Sequence, residues 1–396
     1  MSLDNTTELN ISSEQIIRLE IITGKLVAHK NNQTVKEYSL EGITILDCSD
    51  NYLEQLPELP ETIIELDCSS NYLVSLPKLP GSLTKLKCVV NELKTLPVLP
   101  DTILELNCSE NELVTLPDLP NSLLKIDCSV NHLEILNNLP KTLIELNCLD
   151  NNLTILPNLP ETIKILNCSC NNIFTLPRLP LSLLKLDCSN TELKSLPTLP
   201  SGLVKLNCSN NNLERLPKLS CSLTKINCSR NHLNELPQLP KFLTKLNCFG
   251  NELKELPNLP ETLTGLWCSS NGLTCLPALP QSLIFLYCSD NQLRALNIPE
   301  GLRRLGCSNN QLQTLRLPST IIALDCFDNP LVFLSPPPQS LKYFTFPKHL
   351  GAIHYDRSRY YERYQTYFYL ISFLVLEIGV LPTILSNEEF WFPGQL

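Results

Sequence analysis

The run Leu83-Thr84-Lys85-Leu86-Lys87-Cys88-Val89-Val90-Asn91-Glu92-Leu93-Lys94-Thr95-Leu96-Pro97-Val98-Leu99-Pro100 is one copy of a pattern that fills most of the chain. Its marker is the cysteine: thirteen of them, from Cys48 to Cys288, stand at intervals of twenty residues, and Cys307 and Cys326 follow at intervals of nineteen. Self-similarity at this period marks a solenoid, a stack of small units that bury their apolar sides against their neighbours. The Leu86-x-Cys88 step has the period of two of a short strand, which turns Leu86 and Cys88 inward and Lys85 and Lys87 outward. Asparagine stands three residues after the cysteine in fourteen of the fifteen units, with Thr191 the exception. There an amide can serve backbone groups at the turn out of the strand and bond along the stack. The Leu-Pro-x-Leu-Pro run is excluded from a helix interior, because its second proline would remove a backbone bond and clash with the preceding turn. It reads as a polyproline-like return on the far side.

These features predict one elongated domain over residues 41–335, a solenoid of α/β type that is mostly β. About fifteen repeats would present a parallel sheet on the concave side and polyproline-like chain on the convex side. With strands about 4.8 Å apart, the ladder would run roughly 65 to 70 Å. Residues 1–40 carry the alternation Ile17, Leu19, Ile21 and then Thr23-Gly24-Lys25, which predicts a hairpin capping the first repeat. Residues 336–396 open on Pro336-Pro337-Pro338 and turn aromatic. Tyr361, Tyr364, Phe368 and Ile371, at spacings of three and four, predict a helix over 358–381 that caps the other end and stops at Pro382. Its apolar stretch, Phe368 to Leu376, falls well short of the roughly 18 to 20 residues of a membrane span.

Composition narrows the function further. A net charge of −9 argues against a general nucleic-acid binder, since phosphate contacts need a basic surface. The opening residues include Asp4 and Glu8 and do not resemble a signal peptide. Of the eighteen cysteines, fifteen occupy an apolar position of the repeat and read as buried small hydrophobes. Thiols in one line at strand spacing suit neither disulfides nor a tetrahedral zinc site, and no Cys-x-x-Cys pair occurs. So many free thiols point to a reducing compartment, hence a cytoplasmic protein. His29, His132, His232, His349 and His354 are scattered, and neither a nucleophile–base pair nor a phosphate loop is evident. The expectation is no catalysis, no metal and no cofactor.

Function must then lie in what the strands display. Three residues before each cysteine the chain reads Glu65, Lys85, Glu105, Lys125, Glu145, Ile165, then Lys185, Lys205, Lys225 and Lys245. The first part alternates in sign, so neighbouring rungs can pair. The four consecutive lysines form a strip suited to an acidic segment of a protein partner, at a repulsion of about 0.9 kcal/mol per neighbouring pair before screening. Phe249, Trp267, Phe285 and Tyr287 follow directly, with Phe327 further on. Outward aromatics of this kind anchor protein interfaces. The lysine strip and these aromatics are the candidate partner-binding site.

The unit Leu-x-x-Leu-x-Cys-x-x-Asn-x-Leu-x-x-Leu-Pro-x-Leu-Pro resembles the short bacterial-type leucine-rich repeat of the YopM and IpaH effectors. It is also similar to cysteine-bearing repeats of large DNA viruses of amoebae. The resemblance covers roughly 295 of the 396 residues. It implies a leucine-rich repeat horseshoe and a role in binding host proteins, in the cytoplasm of a host cell. IpaH proteins add a ubiquitin-ligase domain with a catalytic cysteine. Here only 61 residues follow Ser335, without a cysteine, so no catalytic residue carries over. The reading is a non-catalytic interaction scaffold of a pathogen or virus. Two alternatives stand beside it: an adaptor that recruits ubiquitination machinery through the C-terminal segment, and a membrane-tethered scaffold.

Overall fold

A computed structural model describes residues 7–30 and 33–345. Near the N-terminus, β1 (Glu8–Asn10) is followed by β2 (Arg18–Ile22), β3 (Lys25–Lys30) and β4 (Gln33–Ser39). β2 and β3 form an antiparallel hairpin, and β4 adds antiparallel to β3. The two-residue turn Thr23-Gly24 has φ of 49° and 77°, the left-handed pair that matches the twist of hairpin strands.

The chain divides into two compact units after Leu213. In the first, β1 and nine further strands, from Ile45–Asp47 to Lys205–Asn207, make ten parallel rungs. Register follows the repeat, with Leu86 opposite Leu106 and Leu106 opposite Ile126. β1 lies beside Ile45–Asp47, so this ladder starts upstream of residue 41. In the second unit seven parallel rungs run from Lys225–Asn227 to Tyr343–Thr345, the last of them beyond residue 335. On the return side of this unit Thr314–Leu315 pairs with Phe333–Leu334. No helix occurs among the described residues, and the helix expected over 358–381 lies outside them.

Each repeat rung is three residues long because its centre is a single inward leucine or isoleucine, and the next inward residue, the cysteine, already belongs to the turn. In the unit quoted above Leu83, Leu86, Cys88 and Leu93 are fully buried, and Leu96 and Leu99 nearly so. At roughly 1.5 to 3 kcal/mol per buried leucine this packing dominates the energetics. The residue two past the cysteine is left-handed in every rung, from Asp50 at φ 55° to Asp328 at 52°, with Gly250 at 63°. That conformation ends the strand and brings the asparagine under its neighbours. Asn111 Oδ1 accepts from Leu93 N at 3.0 Å. Its Nδ2 faces the carbonyls of Cys88 at 2.9 Å, Ser109 at 3.1 Å and Cys108 at 3.2 Å. One amide thus satisfies buried backbone groups of two consecutive rungs.

All eighteen cysteines are free, and the fifteen of the ladder are buried. Burial, by removing water from the charged form, pushes the thiols of Cys88, Cys148 and Cys228 up to about 12. Several donate to a carbonyl of the next strand, as Cys148 Sγ does to Asn167 O at 3.3 Å. Such groups are inert at neutral pH. A thiol titration of the native protein should therefore modify exposed Cys221 and Cys275 promptly and half-buried Cys170 slowly. The remaining fifteen should react only in denaturant. A native count near eighteen would mean the core is open.

Candidate functional site

On the outward side of each strand the first and third residues form two columns along the sheet. A third column follows one residue past the cysteine, where serine is commonest. In the first unit the polar columns are largely bound to themselves. Asp127 Oδ1 accepts from Ser129 N and Oγ at 3.0 and 2.6 Å, and Asp187 does the same for Ser189. Asn207 Nδ2 donates to Asp187 Oδ2 at 2.9 Å. The alternating charges pair as the spacing predicts: Glu105 lies 2.9 Å from Lys125 and 3.5 Å from Lys85. The hydrogen bond from Lys125 holds the Glu105 carboxyl below its ordinary range. Lys87 bonds Asp67 at 3.1 Å, and the shallow depression lined by Glu8, Asp47, Glu65, Asp67, Lys85 and Lys87 carries both signs. This region is compensated.

Lys185 and Lys205, also in the first unit, stand opposite each other in register. Lys185 is exposed and Lys205 half-buried. Burial, and then the neighbouring Lys185 charge, push the Lys205 ammonium down from its ordinary value. The two face each other as like charges.

In the second unit Lys225 and Lys245 are partners in register, both half-buried. Beyond them the column continues as Gly265, Phe285 and Arg304. The neighbouring column reads Asn227, Asn247, Trp267, Tyr287 and Gly306. Trp267 stacks on Tyr287 with ring centroids 6.2 Å apart and planes at 11°, and on Phe285 at 6.4 Å and 19°. Its ring lies over Gly265: a Cβ built there would come within 2.6 Å of two indole carbons. Tyr287 covers Gly306 in the same way, at 2.9 Å. The Arg304 guanidinium sits 5.6 Å from the centre of the Phe285 ring, and Arg230 sits 5.7 Å from that of Phe249.

Sequence reading treats Trp267 as an exposed anchor, and here the structure differs. The side chain is on the outward side, but it is only 6 % exposed, because the missing side chain at Gly265 lets the indole lie flat between its aromatic neighbours. Phe249, Phe285 and Tyr287 are half-buried and form the accessible part of the group. The two glycines and two arginines escape a reading of the lysine and aromatic positions alone. Their signal was present, since the repeat alignment sets Gly265 in the lysine column, where a residue without a side chain stands out.

No protein-family model and no curated protein matches the sequence. Among solved structures, the chain is similar to YopM, a leucine-rich effector protein from Yersinia pestis, with 37% identity. The match covers 74% of this chain and 85% of that one, at a TM-score of 0.70. It is similar to YopM from Yersinia enterocolitica WA-314 at 29% identity, covering 86% of this chain and 91% of that one, at a TM-score of 0.58. A third likeness is the functional domain of InlJ from Listeria monocytogenes, which includes a cysteine ladder. There the identity is 26%, the coverage 71% and 66%, and the TM-score 0.50.

Proposed function

The chain belongs to the leucine-rich repeat proteins with short, bacterial-type repeats of twenty residues, and from that premise we propose that it is a non-catalytic scaffold that binds a protein partner on the outward side of its sheet. The observation that carries the reading is the aromatic group of the second unit. Trp267, Phe285 and Tyr287 face away from the leucine core, so packing of the solenoid does not require them, and they stand beside Lys225 and Lys245. Clustered aromatics flanked by charge are what interface centres use. Trp267 is the floor of this surface, Phe285, Tyr287 and Phe249 its contact residues, and the lysines its recognition of an acidic segment. Lys185 and Lys205 offer the same chemistry on the first unit. The fifteen buried thiols and the effector neighbours support action in a reducing cytoplasm, that of a host cell.

Capture of partners from host cytosol tests the proposal. Lys225→Glu with Lys245→Glu should lower capture at least tenfold and reduce its sensitivity to salt, because these charges act on encounter. Glu105→Gln with Lys125→Gln removes a pair from the compensated region without changing net charge or setting like charges beside Lys85 and Glu145, and should leave capture unchanged. Equal loss in both variants would remove the binding surface from the second unit.

A further inference from the structure

Past each turn of the first unit, the residues four, six and seven after the ladder cysteine are exposed, while those at five and eight supply core, as Leu133 and Leu136 do. The solenoid sets no demand on the exposed three. On the seven rungs from Cys48 to Cys168 they nevertheless include seven large apolar side chains. Tyr52 and Tyr72 stack in solvent with ring centroids 6.1 Å apart, and Val74 follows. Val114, Ile135, Ile155 and Phe174 come from four consecutive rungs and are 48 to 61 % exposed. On the next seven rungs, Cys188 to Cys307, the same three positions hold only polar or small residues. Scattered surface hydrophobes need no explanation, but a row confined to one half of a repeated flank is a patch, and patches mark interaction surfaces.

The row is framed by acid. The same positions of its seven rungs carry Glu54, Glu92, Glu112 and Glu134 against one lysine, Lys94, which lies 3.8 Å from Glu112. A complementary surface therefore brings apolar side chains with cations beside them, and the carboxylates disfavour an anionic lipid surface. The backbone of this flank is engaged from rung to rung: Asn152 N donates to Leu133 O and Asn172 N to Leu153 O, both at 2.9 Å. Recognition thus falls to side chains, the mode of an amphipathic helix, and not to an added strand. Rungs about 4.8 Å apart nearly match the helical pitch of about 5.4 Å. The six steps from Tyr52 to Phe174, about 29 Å, equal a helix of roughly 19 residues.

We propose that this flank of the first unit docks a basic amphipathic helix of a partner protein. The apolar face of the helix lies along Val114, Ile135, Ile155 and Phe174 and reaches the tyrosine pair, and its lysines or arginines meet Glu112 and Glu134. None of these residues belongs to the lysine and aromatic columns, so either reading can fail without the other.

The probe is a fluorescently labelled synthetic helix of about 19 residues, leucine on one face and lysine on the other. Its controls are a scrambled peptide of the same composition and a helix with glutamate in place of lysine. Anisotropy with the full-length protein should show the leucine–lysine helix binding at least tenfold tighter than either control. Ile155→Ser with Phe174→Ser should weaken it at least tenfold at an unchanged thermal midpoint, since both side chains are exposed. Glu112→Gln with Glu134→Gln should weaken it about threefold and flatten its salt dependence. Binding no tighter than the scramble, or untouched by the serine pair, overturns the proposal. A lowered midpoint in the serine variant does so too, because the row would then serve the fold. Sedimentation that shows a dimer dissolved by the serine pair, or pelleting with phosphatidylserine vesicles that the pair abolishes, assigns the flank to a second copy or to lipid and likewise overturns it.

Discussion

Replacing Asn131 by alanine is expected to destabilise its part of the solenoid by about 3 to 5 kcal/mol, an unusual cost for removing one polar side chain. Asn131 Oδ1 accepts from Leu113 N at 2.9 Å, and Nδ2 faces the carbonyls of Cys108 and Ser129 at 3.1 Å and of Cys128 at 3.2 Å. Alanine leaves a buried N–H and at least one buried carbonyl without partners, each costing roughly 1 to 3 kcal/mol. The rung at Thr191 is the natural counterpart. Its hydroxyl lies 2.6 Å from Asn211 Oδ1 and 3.0 Å from Cys188 O, and neither contact serves the Ile173 amide, whose equivalents in other rungs are held by an asparagine oxygen. Thr191→Asn should therefore stabilise, by about 1 to 2 kcal/mol. Urea unfolding gives both signs, and hydrogen exchange at the Leu113 amide locates the first. A midpoint unmoved by Asn131→Ala would mean that water replaces the amide and that the ladder is not a cohesive device.

Gly265→Val should abolish partner capture, at least thirtyfold, while leaving the fold intact. The valine side chain takes the volume held by the indole, since even a Cβ at 265 would lie 2.6 Å from Trp267 carbons. Trp267 must then leave its seat, and the stacks that hold Phe285 and Tyr287 go with it. The loss corresponds to the 2 kcal/mol or more typical of an aromatic anchor. Trp267→Ala should cost a similar amount, and the double variant should cost little beyond either single one, because both remove the same platform. Additive losses would show that residue 265 acts on something other than the indole. An unchanged thermal midpoint and circular dichroism spectrum separate this from misfolding.

The repeat made most of the architecture legible, because a period of twenty residues fixes register, core and turn together. Cys88, Leu86 and Asn91 stand where the pattern places them. The extra first rung was missed for a reason visible in the residues. Glu8-Leu9-Asn10-Ile11-Ser12 matches Glu105-Leu106-Asn107-Cys108-Ser109, but isoleucine fills the cysteine position, and an index built on cysteine passes over it. The left-handed residue of each turn left only a partial signature: Asp50, Asn210 and Gly250 suit that conformation, but Val90, Glu110, Cys170 and Arg230 adopt it too, forced by the closing of the rung instead of by their own preference. At the candidate site the columns were legible, since alternation decides which side chains face out. The burial of Trp267 was not, because it depends on a rotamer that Gly265 permits and on the stacking of Phe285 and Tyr287 beside it.

The shortened repeats carry a consequence for how such a chain can change over generations. Leu293 N reaches Asn310 Oδ1 across 17 residues at 3.0 Å, whereas Leu273 N reaches Asn291 Oδ1 across 18, also at 3.0 Å. The residue given up comes from the return, and the bond is indifferent to it. Strand and turn are thus the invariant part of each unit, and every bond they make is met by an adjacent copy of themselves. Recombination between two coding repeats can add or delete a whole rung, and the newly joined neighbours find the same donors and acceptors waiting. What such an event alters is the order of outward residues. A lineage can therefore lengthen a lysine strip or part it from its aromatics by copying, with the leucine core unaware of the edit.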